Sequence, residues 1–380
     1  MIKVLHVINW FRAGGVETQL MHVLREYDRS RFHMDVCVIG NEPGYLASAA
    51  RELGATILSC RKSPNLFGFS NRFATLVRPH TYDIVHSHFE AWSGPILRGA
   101  KLAGVPVRIV HLHSMRAWAE ESSFRPVERI GQTAVLAWGR HWVRQNCTHI
   151  LAVSRAVVKQ RFAERWNGRE SLLLWTGGVD ASRFSPGDGE QSSRAKAVIW
   201  VGGLLPSKRI DLQLQVFRLI REEVPEARLI LVGEGKNEHD LRRLSQDLGV
   251  VDSVDFLGVR HDVPDLLRAA GVFLSCSQVE GLPTVILEAQ ACGLPVVATD
   301  IAPHREGLAP EFHPYLFPTH APESAAKSVT ALLQHPELRE RLGTCGRKFV
   351  VDRFNAATQL AILQDHYTSW VCFGEENGTA

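Results

Sequence analysis

The sequence contains no apolar run near the roughly 20 residues that a helix needs to cross a bilayer. Its first stretch, Met1 to Phe11, is too short for a secretory apolar region and lacks a small-residue cleavage site. These two absences predict a chain that stays in the cytoplasm. Cysteine is sparse: seven residues, an odd number, without C-x-x-C spacing. That leaves neither a disulfide framework nor a thiolate zinc site. A complete G-x-G-x-x-G is missing, and so is an acidic residue ending a second strand, so dinucleotide binding lacks its fingerprint. There is no D-x-D triad to grip a divalent cation. Zinc fingers, RNP-like aromatic motifs and long basic tracts are also absent, which ranks nucleic acid last among partners. No repeat of about 20–50 residues recurs.

What is present points to two domains. The chain has 380 residues, 45% of them apolar, enough for two cores of ordinary size. A net charge of +3 hides an asymmetry. Residues 1–180 carry 23 Lys and Arg against 14 Asp and Glu, and the remainder carries 20 against 26. A basic first half suits an anionic partner such as a membrane surface or a pyrophosphate lipid.

Strand-like runs recur at Lys3–Ile8, His33–Ile39, Thr56–Leu58, Asp83–His86, Arg108–His111, Ile150–Val153 and Leu172–Leu174. Helical patterns lie between them. After the loop ending in Gly14-Gly15, Val16, Leu20, Val23 and Leu24 mark one buried helix face. Ser154 reads as the N-cap of a helix to about residue 165. Residues 181–196 are polar and turn-rich and are expected to form a linker. A second alternation follows, with strands at Ala197–Val201, Arg228–Val232, Val254–Leu257, Val272–Leu274 and Pro295–Ala298. An amphipathic helix is expected over Ile210–Glu223. Terminal helices are expected near 322–334, 336–351 and 356–370, with a polar tail from Gly374. The alternation of strand and helix predicts two α/β domains with parallel sheets, 1–180 and 197–354, followed by a last helix and tail over 355–380.

The stretch Gly271 to Thr299 organises the second half. A buried strand leads into Glu280-Gly281-Leu282-Pro283, and a helix then runs to about Ala291, with Gly293 closing it. Pro283 suits a first helical turn, since it lacks only an unpaired N–H there. Glu280 and Glu288 thus flank a helix N-terminus at the carboxyl end of a strand. Open α/β sheets bind ligands at such places, and a helix N-terminus favours phosphates. By themselves two glutamates eight apart read equally well as a loop carboxylate and a solvated helix residue. Lys208 stands in the loop after the first strand of this half, where a solvated lysine is the plain alternative. In the first half, His86 with His88 and His111 with His113 end two strands, and alternate strand residues share a face. Four histidines invite a metal, but no carboxylate or cysteine completes a ligand set, and no metal site is expected. Between residues 115 and 147 tryptophans and arginines interleave, which suits either a membrane interface or a packed helix.

A-G-G-V-E, V-G-G-L-L-P-S-K-R and E-G-L-P-T-V-I-L-E-A-Q-A-C-G-L-P-V-V-A-T, in this order along the chain, resemble the signatures of glycosyltransferase family 4. Those enzymes are retaining transferases with two Rossmann-like domains facing each other across a cleft, the GT-B fold, and the last helix crosses back to the first domain. The resemblance covers about residues 1–370. It implies that Glu280 holds donor-sugar hydroxyls within the segment Gly281-Leu282-Pro283, that Glu288 holds the ribose, and that Lys208 holds the diphosphate. It implies that bare backbone at Gly14 and Gly15 lets the diphosphate approach, and that the loop at Val259 meets the nucleobase. His113 would hydrogen-bond a sugar hydroxyl and shield the oxocarbenium-like centre. His86 and His88 would shape the acceptor pocket. Two departures stand out: Gly203 replaces the family's arginine, and Arg209 replaces a frequent glycine, so Arg209 is a candidate to complete the clamp. Gly177 replaces a usual asparagine. The activity implied is metal-independent transfer of a hexose from a nucleotide sugar, UDP-linked by first expectation, to a glycan or lipid-linked glycan. It requires no cofactor and would take place at the inner face of the cytoplasmic membrane. A nucleotide-sugar 2-epimerase and a non-catalytic donor-binding subunit are the alternatives.

Overall fold

Runs such as Val4-Leu5-His6-Val7-Ile8 are apolar on both faces, and only a strand covered on both sides can bury them. The computed structural model describes residues 1–12, 14–114, 137–162, 171–187 and 196–376. The chain forms two units, Met1–Gly177 with Ala357–Ala380, and Gly178–Ala356.

In the first unit the strands are β1 Ile2–Ile8, β2 Phe32–Val38, β3 Ile57–Ser59, β4 Ile84–Ser87, β5 Val107–Leu112, β6 His149–Ala152 and β7 Ser171–Leu174. They form one parallel sheet in the order β3-β2-β1-β4-β5-β6-β7. The chain winds outward from β1 in both directions, so the order reverses between β1 and β4. That is where open α/β sheets place ligands at the carboxyl ends of strands. In this register His6 on β1 stands beside His86 on β4. The core joins Val4, Ile8, Phe32, Met34 and Ile109 to Leu360, Leu363, Tyr367 and Trp370 of the last helix, Ala356–Glu376. The Trp175 indole N–H also donates to the Gln359 carbonyl, 2.7 Å away. This helix therefore crosses back to complete the first unit, as expected. It extends past residue 370, where the sequence pattern had stopped it. The expected cap at Ser154 is present: its hydroxyl accepts from the Val157 N–H at 3.2 Å.

The second unit holds β8 Ala197–Val201, β9 Arg228–Val232, β10 Val254–Gly258, β11 Val272–Ser275, β12 Val296–Thr299 and β13 Leu316–Phe317, in the parallel order β10-β9-β8-β11-β12-β13. Its reversal lies between β8 and β11. The helix Ile210–Glu223 buries Ile210, Leu212, Leu214, Val216, Phe217 and Ile220. Each such side chain contributes about 1.5–3 kcal/mol. The two-residue β13 and the six-residue helix Ala302–Gly307 carry too little pattern to be read from sequence.

The boundary between units falls at Gly177/Gly178, three residues before the expected one. Both glycines are left-handed, with φ of +73° and +71°. Asparagine also tolerates that region, so the replacement at Gly177 is conservative in backbone terms. Residues 181–187 do not link domains. Asp180 accepts from the N–H groups of Ser182 and Arg183, and Phe184 is buried in the second core. Of the expected linker, residues 188–195 lie outside the described residues. So do residues 115–136 of the tryptophan and arginine stretch and the last residues of the helix expected to reach 165.

Candidate active site

Two loops of the second unit are pressed together by glycine. Gly202, with φ of +148°, ends β8, and the Leu204 N–H donates to the Glu234 carbonyl. A Cβ on Gly233 would sit 2.1 Å from the Gly202 oxygen, and one on Gly235 2.3 Å from the Leu204 oxygen. Close backbone approach thus explains Val232-Gly233-Glu234-Gly235. The chain then makes a single turn, Pro206–Lys208, with Ser207 buried. The loop after β11 comes back to it: the Gln278 N–H donates to the Ser207 carbonyl at 2.9 Å.

That contact brings Glu280 to Lys208, with Nζ 2.6 Å from Oε1. The side chains are only 10% and 21% exposed, respectively. Removing one partner would leave a charge with little water to solvate it, which costs far more than an exposed pair is worth. The lysine read as a loop residue is therefore a fixed cation at the carboxyl ends of β8 and β11.

Arg209 follows in the left-handed region, φ +51°. A glycine accepts that backbone freely, whereas a side chain there costs on the order of 1 kcal/mol, which is a reason for the family's preference. Its guanidinium is held by its own neighbour: Nε and Nη2 lie 3.0 and 2.9 Å from the Asp211 carboxylate. Arg209 is thus already paired, which weakens its claim as a substitute clamp. At Gly203 the φ is ordinary and an added Cβ would meet nothing closer than 3.4 Å, so packing does not exclude an arginine there.

Pro283 caps the helix Thr284–Ala291 from just outside it, in extended conformation, rather than standing in its first turn. Leu282 and Pro283 pack near Gly307, so the loop rests on the helix Ala302–Gly307. Glu288 is partly buried, not solvated, and burial pushes its carboxyl up to about 7 against the opposing charge of Arg183. Among the described residues its carboxylate has no hydrogen-bond or ion-pair partner. Gly281 is buried, whereas Val259 is exposed beyond Gly258, whose carbonyl accepts from the Gly233 N–H.

Sequence reading missed His304. It is fully buried; its Nδ1 donates to the Thr299 carbonyl at 2.7 Å, and Nε2 lies 3.5 Å from the Ser275 hydroxyl. Burial holds its pKa down, with Glu280 opposing and Lys208 reinforcing that shift. It therefore stands near the ion pair as a neutral ring. The signal available was its place just after β12, at the same sheet end.

In the first unit, Gly14 stands as the N-cap of the helix Gly15–Glu26 and offers it no side-chain cap. A Cβ on Gly14 would crowd Glu17, while Gly15 opens onto free space. Ala13 lies outside the described residues. The histidines form a contiguous cluster at the carboxyl ends of β1, β4 and β5, joined by His6, which the pairwise reading overlooked. His86 is fully buried with both nitrogens engaged, by the Tyr367 hydroxyl at 2.5 Å and His111 at 3.2 Å. It lines no surface, which removes it from the acceptor candidates. His88 lies between His6 at 3.2 Å and His113 at 3.0 Å. His88 and His113 are partly buried. Burial lowers the pKa of all five, to about 3 for His6 and His113. The sets His6–His86–His88 and His88–His111–His113 each gather three nitrogens closely enough for a metal, a geometry the sequence did not reveal.

The chain as a whole is similar to known proteins. The chain is 28% identical over 310 residues to EpsF of Bacillus subtilis, 78% of this chain and 79% of that one. It is 25% identical over 389 residues to the UDP-Gal:alpha-D-GlcNAc-diphosphoundecaprenol alpha-1,3-galactosyltransferase of Escherichia coli, 97% of each. Among solved structures, Anabaena HepE in complex with UDP and glucose superposes with a TM-score of 0.81 at 18% identity, over 97% of this chain and 100% of that one. The fold is GT-B. Residues 14–170 match the glycosyl transferase 4-like domain and residues 184–349 match glycosyl transferases group 1, so the chain belongs to the family 4 glycosyltransferases.

Proposed function

We propose that the chain is a retaining transferase that moves a hexose from a UDP-sugar to a glycan or lipid-linked glycan during polysaccharide assembly. The Lys208–Glu280 pair carries this reading. A diphosphate leaving group gains negative charge as the glycosidic bond breaks, and a cation already fixed in place stabilises that charge without reorganisation. Glu280 orients Lys208 and keeps further acceptor capacity for sugar hydroxyls. Glu288, lacking a partner of its own, suits the two hydroxyls of a ribose. His113 is assigned to a donor-sugar hydroxyl. Retention is assigned to same-face attack, in which the departing phosphate oxygen takes the acceptor proton. No divalent ion or cofactor enters this scheme, because Lys208 supplies the charge.

The UDP preference rests on the galactosyltransferase and HepE named above, and an acceptor carried on a lipid diphosphate rests on the galactosyltransferase alone. The basic first half supports an anionic acceptor or membrane surface. Trp138, with Arg140 and Arg144 nearby, is exposed on the helical residues 137–146 and offers such a contact. Among the described residues no helix is long and apolar enough to cross a membrane. A thermal-shift screen against UDP-, GDP- and ADP-sugars tests the reading. A ligand at 100 times its Kd stabilises by about 2.7 kcal/mol. A silent panel defeats the assignment, and a response to GDP-sugars alone transfers it to another donor.

A further inference from the structure

The histidine cluster can be read atom by atom, because a neutral imidazole has one N–H and one lone pair. It consists of two files. In the first, the Trp175 carbonyl can only accept, so His111 Nε2, 3.2 Å away, carries the proton. His111 Nδ1 is then a lone pair and accepts from His86 Nε2 across 3.2 Å. His86 Nδ1 in turn accepts from the Tyr367 hydroxyl. One assignment satisfies every contact, and all three rings are neutral.

The second file, His6 Nδ1 to His88 Nε2 and His88 Nδ1 to His113 Nε2, could run either way. His6 Nε2 decides it. That atom is buried without a hydrogen-bond partner. An orphaned buried N–H is rarer in proteins than an under-used acceptor. The proton therefore sits on Nδ1 of His6. His6 donates to His88, and His88 donates to Nε2 of His113. The proton of His113 is left on Nδ1, which has no partner among the described residues.

We propose that His6 and His88 are positioning residues that lock His113 as its Nδ1–H tautomer, so that it presents a donor to an oxygen atom of the ligand. This deepens the reading of His113 as a sugar-hydroxyl contact and rests on it for the identity of that oxygen. Free neutral histidine prefers the opposite tautomer, with the proton on Nε2. The file therefore imposes a choice that the ring would not make alone. Burial, which depresses the pKa of every ring in the file, keeps that donor uncharged near neutral pH.

The test is long-range proton–nitrogen correlation on the full chain labelled with nitrogen-15 histidine, near neutral pH. His113→Gln assigns the His113 signals. The expected wild-type spectrum shows Nδ1 of His113 protonated and Nε2 bare. His6→Phe removes the first donor, and loss of the pure Nδ1–H signature at His113 is expected. His6→Asn keeps an amide donor and is expected to restore it, which a packing role alone would not produce. A wild-type His113 protonated on Nε2 overturns the proposal before any variant is made. So does a stoichiometric transition metal in the purified protein, since ligation by either histidine triple would consume these lone pairs. The spectrum stands independently of substrate: if no nucleotide sugar perturbs His113, the functional reading fails while the tautomer assignment survives.

Discussion

Acid should weaken the first unit more than the second. His6 titrates at about 3 in the fold instead of 6.5, because burial penalises its charged form. The unfolded chain takes up a proton near 6.5 that the native unit refuses until about 3. Stability from this group is therefore complete above 6.5 and falls as pH drops through that window. Between about pH 7 and about pH 5 the loss is about 2 kcal/mol for one such histidine. His86 and His111 are as deeply buried and shift the same way. Their burial therefore adds to this loss in the same direction, and even the single-ring figure is a sizeable share of the roughly 5–15 kcal/mol that holds a domain together. Glu288 has the reverse sign. Its carboxyl is raised from 4.5 to about 7, so the stability it contributes is full below 4.5 and lost as pH rises through 7. Acidification over the same interval returns about 2 kcal/mol from this group, and the buried His304 of the same unit opposes that gain. Hydrogen exchange read by mass spectrometry, corrected for intrinsic rates, separates the two responses. Peptides from β1, β4 and β5 are expected to lose more protection at about pH 5 than those from β8 and β11, where Glu288 and the buried His304 act with opposite signs. Equal loss in both units, or full protection of β1 and β4, refutes the account of the histidines as neutral buried rings.

Lys208→Ala and Glu280→Ala should each lower kcat by roughly 10²–10³, as when one transition-state contact is removed. Their double mutant should fall well short of the product of the two losses, because the residues act as a pair; steady-state kinetics with the donor found by the thermal screen decides. Glu288→Ala should raise the donor KM with little change in kcat, since a ribose contact is felt in ground and transition states alike. A kcat loss without a KM change would move Glu288 into the chemistry. A Cβ at Gly203 makes only ordinary contacts with Leu205, so Gly203→Arg should change Tm little. A new charge-assisted bond to the diphosphate is worth about 1.5–3 kcal/mol, or at least tenfold in Kd for UDP by calorimetry. Unchanged UDP affinity would show that the family's arginine position does not face the diphosphate here.

Much of this was legible in the sequence because it depends on local pattern. Apolar runs at β8 and β9, the helix Ile210–Glu223 and the helix Pro322–Gln334 match their expected bounds. In each, the period of the apolar residues and the flanking Gly or Pro suffice. Glu280 and Lys208 were nominated by motif, yet 72 positions separate them. Their contact exists because the Gln278–Ser207 bond ties two loops together. His86 shows the opposite case: its strand position suggested a pocket, but the Tyr367 hydroxyl from the last helix seals it inside.

By itself the chain determined two parallel α/β units and the residues at the ends of their strands, since strand period and turn chemistry act over a few neighbours. Only the tertiary structure decided which of those residues meet: Lys208 with Glu280, Arg209 with Asp211 instead of a free clamp, and His6 completing the histidine files. Strand order brings together groups that are remote along the chain, and burial then fixes their charge and proton positions, neither of which a linear pattern records.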